Sequence, residues 1–127
     1  MKLLLDSHYV IALVDEELQV RFPKFARYVL AEQPELFVSI ASIWELAIKS
    51  RLRKLELRVA PNDLVSFLDD LGVKLLAIEP RHVTEILNPD VPTRDPFDRL
   101  LMAQAQIEGM RFVTIDRALT DHPVTFR

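Results

Sequence analysis

Short apolar runs that end in an acidic residue, or lead into one at the mouth of a helix, constrain this 127-residue chain more than any other feature. Lys2-Leu3-Leu4-Leu5 stops at Asp6, and Arg111-Phe112-Val113-Thr114-Ile115 stops at Asp116. Leu36-Phe37-Val38 leads through Ser39-Ile40-Ala41-Ser42-Ile43-Trp44 to Glu45, and Asp98 opens the apolar pattern Pro96–Ala103. The runs lack polar alternation, so strands built from them are expected to be buried on both faces. Strands of that kind, separated by helices, imply a three-layer α/β/α arrangement around a central parallel sheet of four to five strands. Residues just past the carboxyl ends of neighbouring strands in such a sheet share one crevice. Carboxylates gathered there repel one another, and hard divalent cations such as Mg²⁺ or Mn²⁺ are their natural neutralisers.

The length fits one domain over residues 1–127, and a hydrophobic fraction of 50% argues against disorder. No apolar run approaches the roughly 20 residues needed to span a bilayer, and the N-terminus lacks a signal-peptide pattern. The expectation is a cytoplasmic protein with no membrane partner. With no cysteine, disulfides and thiolate metal sites are excluded. The formal charge of −3 alone disfavours nucleic acid. Neutralising the four acids named above would leave 15 acidic against 16 basic side chains, so a basic rim around a metal-filled crevice is compatible with it.

Only two glycines occur, and each stands where a helix passes into a strand. Gly72 separates the helical pattern 62–71 from the apolar run 73–78, and Gly109 separates the helix 96–108 from the run 112–115. The remaining pattern predicts strands at 2–5 and 36–38 and helices at 7–15, 23–32, 41–53 and 81–88. A further short strand is predicted at Val124–Phe126. Pro61 and Pro96 suit first helical turns, while Pro89 and Pro92 bracket a polar loop at 88–95.

Each acid also has an ordinary structural explanation, because carboxylates belong at helix N-termini. Asp6, Asp95 and Asp116 are natural caps. Ser42-Ile43-Trp44-Glu45 has capping-box spacing, and Glu45 stands four residues before Lys49, the favourable order for an ion pair. Capping does not require these acids to converge, however, whereas the topology does. Asp98 also lies in an otherwise almost wholly apolar or small-residue segment, where a charge is normally paired or bound to metal.

The same residues carry a family resemblance that covers essentially the whole chain. It resembles a PIN-domain ribonuclease, and most of all the VapC-type toxin of a bacterial type II toxin–antitoxin pair. Leu3-Leu4-Leu5-Asp6-Ser7-His8 is similar to the family's first motif, and Ser39–Lys49 with Glu45 to its second. Arg94–Ala105 with Asp98 resembles a variant of the third, and Val113-Thr114-Ile115-Asp116 the last. The resemblance implies hydrolysis of RNA phosphodiester bonds, with Mg²⁺ or Mn²⁺ bound by Asp6, Glu45, Asp98 and Asp116. A divalent ion would acidify water and stabilise charge on the reacting phosphate, so no protein nucleophile is needed. Ser7, Thr114 and Asp95 are then expected as outer hydrogen-bond partners of the ligands. Arg94, Arg99 and Arg117, which flank proposed ligands, are expected to grip substrate phosphate. Implied partners are a cognate antitoxin and the RNA, with the chain as a homodimer or in a toxin–antitoxin hetero-oligomer.

Other features read more simply. His8, His82 and His122 fit no metal-ligand spacing. Trp44 beside Ile43 and Leu46 reads as core rather than as an RNA-stacking platform, and the basic run Lys49–Lys54 as a solvated helix end. Two other functions stay open at this point. One is a Mg²⁺-dependent phosphotransfer or receiver-like α/β domain, although no Asp-x-Asp follows the first strand. The other is a non-catalytic interaction module.

Overall fold

The computed structural model describes residues 1–91 and 95–127. Four strands, β1 (Lys2–Leu5), β2 (Glu35–Ser39), β3 (Lys74–Leu76) and β4 (Arg111–Val113), form one sheet in the order β3-β2-β1-β4. Every pairing is parallel, with Leu4 opposite Phe37 on one side and Phe112 on the other. Helices α1 (Ser7–Val14), α2 (Leu18–Arg21), α3 (Pro23–Glu32), α4 (Ile40–Arg51), α5 (Leu64–Asp70), α6 (Pro80–Thr84) and α7 (Pro96–Glu108) connect and cover them.

The alternation within β1 divides the interior in two. Leu3 and Leu5 pack with Val10, Phe25, Leu46, Leu64 and Leu68 on one face. Leu4 packs with Leu101, Met102, Ala105, Phe112 and Leu119 on the other. A strand that must bury both faces cannot alternate apolar with polar, which is why the sequence reads Leu-Leu-Leu. The three-layer α/β/α architecture is therefore as expected, and the sheet has four strands. The segment predicted as a fifth makes only a parallel bridge from Thr125 to Phe112, with Phe112 N–H donating to Val124 O at 2.8 Å.

Both glycines take the left-handed conformation, Gly72 at φ 81° and Gly109 at φ 68°. Gly109 ends α7, and the Met110 N–H folds back onto Ala105 O at 2.9 Å before β4 begins.

Three local expectations differ. Helix α4 is capped by Ser39, whose Oγ accepts the Ala41 N–H at 3.0 Å, so the capping box from Ser42 to Glu45 does not form. β2 runs to Ser39, in register with Leu76, and the chain turns straight into the helix there. The helix predicted at 81–88 stops at Thr84, and Glu85 is extended. Gln106 of α7 accounts for this: it donates to Glu85 Oε2 and Ile86 O and accepts from Asn88 N–H, all at 3.1 Å. Trp44, expected in the core, is 59% exposed. The buried positions of α4 are Ala41, Ser42, Glu45 and Leu46, and Trp44 lies outside that stripe. Among the described residues no helix is long and apolar enough to cross a membrane.

Candidate active site

Strand β1 delivers Asp6 to the carboxyl edge of the sheet, where it is only 4% exposed. Since β2 and β3 lie on one side of β1 and β4 on the other, the chain leaves β1 and β4 at the point where the strand order switches. Asp6 Oδ1 caps α1 by accepting the Tyr9 N–H at 3.0 Å, and Oδ2 accepts the Ile115 N–H at 3.1 Å. Its own N–H donates to Val113 O at 2.9 Å, which ties the exit of β4 to the exit of β1. The Thr114 hydroxyl accepts the Asp116 N–H at 3.1 Å and donates to Asp6. Ser7 is buried directly beside Asp6, and the His8 Nδ1 lies 3.9 Å from Oδ2. Burial pushes the Asp6 carboxyl above its ordinary range. The N–H groups of Tyr9 and Ile115, His8 and Thr114 oppose that shift without reversing it.

The other acids arrive on helix starts. Glu45 is buried in the second turn of α4 and pairs with Lys49 Nζ at 2.9 Å. Asp95 caps α7 through the Phe97 N–H at 2.9 Å, and Asp98 stands half-buried one turn in. Asp116 caps a 3-10 turn over Arg117–Leu119 through the Ala118 N–H at 3.0 Å. The ordinary cap and ion-pair roles are thus real. The Asp98 carboxyl is pushed up to about 7, first by burial and then by the negative charges of Asp95, Asp6, Asp116 and Glu45. Besides Asp95 on the same helix start, acids from three other stretches of the chain, Asp6, Glu45 and Asp116, therefore act electrostatically on Asp98.

A second acidic group was not foreseen. Glu79 and Glu108 lie 3.8 and 3.7 Å from the buried His82 Nε2, a spacing that a metal ion could bridge. Two features argue against that use. Arg81 already binds both carboxylates, Glu79 at 3.1 Å and Glu108 at 2.5 Å. The His82 Nδ1 accepts the Glu79 N–H at 2.9 Å, which places the ring proton on Nε2, the nitrogen a metal would need bare. We assign this group to an ion-paired clamp between α6 and the end of α7. Only the Glu79-x-x-His82 spacing could have announced it. His122 is structural too, bound to Pro89 O at 2.8 Å and Val124 N–H at 3.1 Å.

Of the arginines expected at the substrate, Arg99 is held by Asp90 at 3.0 Å, and Arg117 is exposed directly after Asp116. Arg94 lies outside the described residues.

The donor set around Asp98 fits Mg²⁺ or Mn²⁺. It consists of carboxylate oxygens, and a divalent ion would offset the mutual repulsion that adds to burial in raising the Asp98 carboxyl. Comparison with known proteins agrees on the fold. No curated protein sequence matches the chain. A chain in the crystal structure of VapBC2 from Rickettsia felis bound to a DNA fragment from their promoter is similar in structure. The match has a TM-score of 0.62 at 13% identity and covers 99% of this chain and 96% of that one. The family profile for the PIN domain matches residues 3–124, nearly the full length over which the strands and acids are distributed, and the chain belongs to the PIN-domain family.

Proposed function

We propose that residues 1–127 form one nuclease domain, a metal-dependent endoribonuclease that acts as the toxin of a VapC-type toxin–antitoxin pair. The reading is supported by the PIN-domain match over residues 3–124 together with the placement of Asp6 and Asp116 at the ends of adjacent strands, where their charges and that of Glu45 raise the half-buried Asp98 carboxyl. In this proposal Asp6, Asp98 and Asp116 hold Mg²⁺ or Mn²⁺, and Glu45 serves as a further ligand or orients water. The ion would supply Lewis-acid polarisation of the phosphate and of water.

The chain's own residues do the rest. Asp6 is fixed by two backbone N–H groups and the Thr114 hydroxyl, so its carboxylate has no rotamer to search when a ligand enters. Lys49 holds Glu45 in place and restrains its charge until substrate arrives. Arg117, exposed at the exit of β4, is the cation placed to meet a phosphate. Arg99 would have to leave Asp90 to do the same. A receiver-like phosphotransfer role is disfavoured, because Asp6 is followed by Ser7 and His8 and the first strand delivers no second acid beside it.

The antitoxin partner is proposed by analogy with the VapBC2 complex, and a cytoplasmic setting follows from an RNA substrate. The test is cleavage of cellular RNA by purified protein in Mg²⁺ or Mn²⁺. Cleavage is expected in wild type and lost by at least about a hundredfold in Asp6→Asn and Asp98→Asn, the scale of removing a principal catalytic group. Retained cleavage in both variants would reject the quartet.

A further inference from the structure

The exposure of Trp44 is at odds with its chemistry and its address. A large aromatic side chain contributes most when buried, and α4 has buried positions close by at Ser42 and Glu45. Trp44 is nevertheless 59% exposed, and its ring meets Phe97 of α7 edge-on, with centroids 5.6 Å apart and planes at 64°. Trp44 directly precedes Glu45, and Phe97 directly precedes Asp98. The aromatic pair therefore bridges α4 and α7 at the ends that carry two of the converging carboxylates. Phe97 supports one edge of the indole and leaves much of the ring open.

A crevice lined with carboxylates repels a polyanion, so a substrate strand needs an uncharged foothold beside it. Of the nearby cations, Lys49 is held by Glu45 and Arg99 by Asp90, and the exposed Arg117 is placed to meet a phosphate rather than to hold a base. A supported indole face supplies such a foothold, because every unpaired base has a π surface to lay on it. We propose that Trp44, buttressed by Phe97, is the positioning platform on which an unpaired base of single-stranded RNA stacks, setting a neighbouring phosphodiester over the acids. This inference rests on the ribonuclease reading for the identity of the strand, while the contact itself is testable apart from cleavage.

Trp44 is the only tryptophan in the chain, so intrinsic fluorescence reports on it alone. A phosphorothioate-linked single-stranded RNA, added in Mg²⁺, is expected to quench the emission saturably, and the same sequence as a duplex is expected to leave it unchanged. Trp44→Ala is expected to raise KM for single-stranded RNA by roughly 5- to 100-fold with kcat changed less than about threefold, and Trp44→Phe to recover most of the loss. Thermal stability and the response to Mn²⁺ should be unaltered in both variants. Quenching without any cleavage by wild type would keep the platform and remove the ribonuclease reading. Cleavage with no quenching and an unchanged KM in Trp44→Ala would do the reverse. A Trp44→Ala protein that loses self-association but keeps its KM would also overturn the proposal, by assigning the indole to a contact between copies of the chain.

Discussion

The Asp98 carboxyl concentrates the chemistry of this protein at one titratable group. Its folded value of about 7 stands above the ordinary 3.8, so between these pH values the metal-free native state binds a proton that the unfolded chain has released. Stability from this group is fully present below about pH 3.8, falls as pH rises through about 7, and is level above that. Burial raises Asp6 as well, which acts in the same direction. Asp98→Asn removes the repulsion. In EDTA at pH 8 it is expected to stabilise the fold by about 1–2 kcal/mol, once the half-exposure of the group is discounted for solvent screening. Near pH 4 it should change little. Denaturant midpoints of both proteins across pH 4–8 check this, and parallel curves would show that Asp98 is not held by its neighbours. A variant that is more stable and inactive is the signature expected of a site that stores electrostatic strain.

Local patterning made most elements legible and misplaced a few boundaries for identifiable reasons. Strand to acid to helix was readable at Asp6 and Asp116, each of which ends a strand and caps the turn that follows it. The start of α4 was not, since Ser39 and Ser42 both suit a cap and the Glu45 spacing favours the second. What decided it was β2 pairing as far as Ser39 with β3, which local sequence does not contain. Ser39→Ala is therefore expected to cost about 1 kcal/mol, whereas Ser42→Ala should be neutral or stabilising. The Ser42 hydroxyl is buried and without a hydrogen-bond partner among the described residues. Urea unfolding of the two variants distinguishes these outcomes, and equal losses would restore the capping box. The early end of α6 was likewise hidden, because a side chain of α7, Gln106, binds Glu85, Ile86 and Asn88 from about twenty positions away.

At the scale of the whole molecule, two cores on either side of one parallel sheet set the exits of its strands along one edge. β1 lies between β2 and β4, so residues leaving the three strands emerge side by side at one edge. That geometry was legible because the apolar runs are too continuous for a one-sided sheet. The clamp of Glu79, His82, Arg81 and Glu108 was not, because it is assembled by packing α6 on the end of α7 rather than by any strand exit. The described residues thus include an acidic group around Asp98 and another already satisfied by an arginine. Only the first is expected to bind a divalent ion. An ion that binds the native state alone raises its stability, by about 2.7 kcal/mol at a concentration a hundredfold above Kd. The decisive measurement is thermal unfolding during titration with Mn²⁺, for wild type, Asp98→Asn and Glu108→Gln. A saturable rise in Tm is predicted for wild type and Glu108→Gln and its loss in Asp98→Asn; a rise that survives in Asp98→Asn and vanishes in Glu108→Gln would contradict the assignment of the metal to the strand-exit acids.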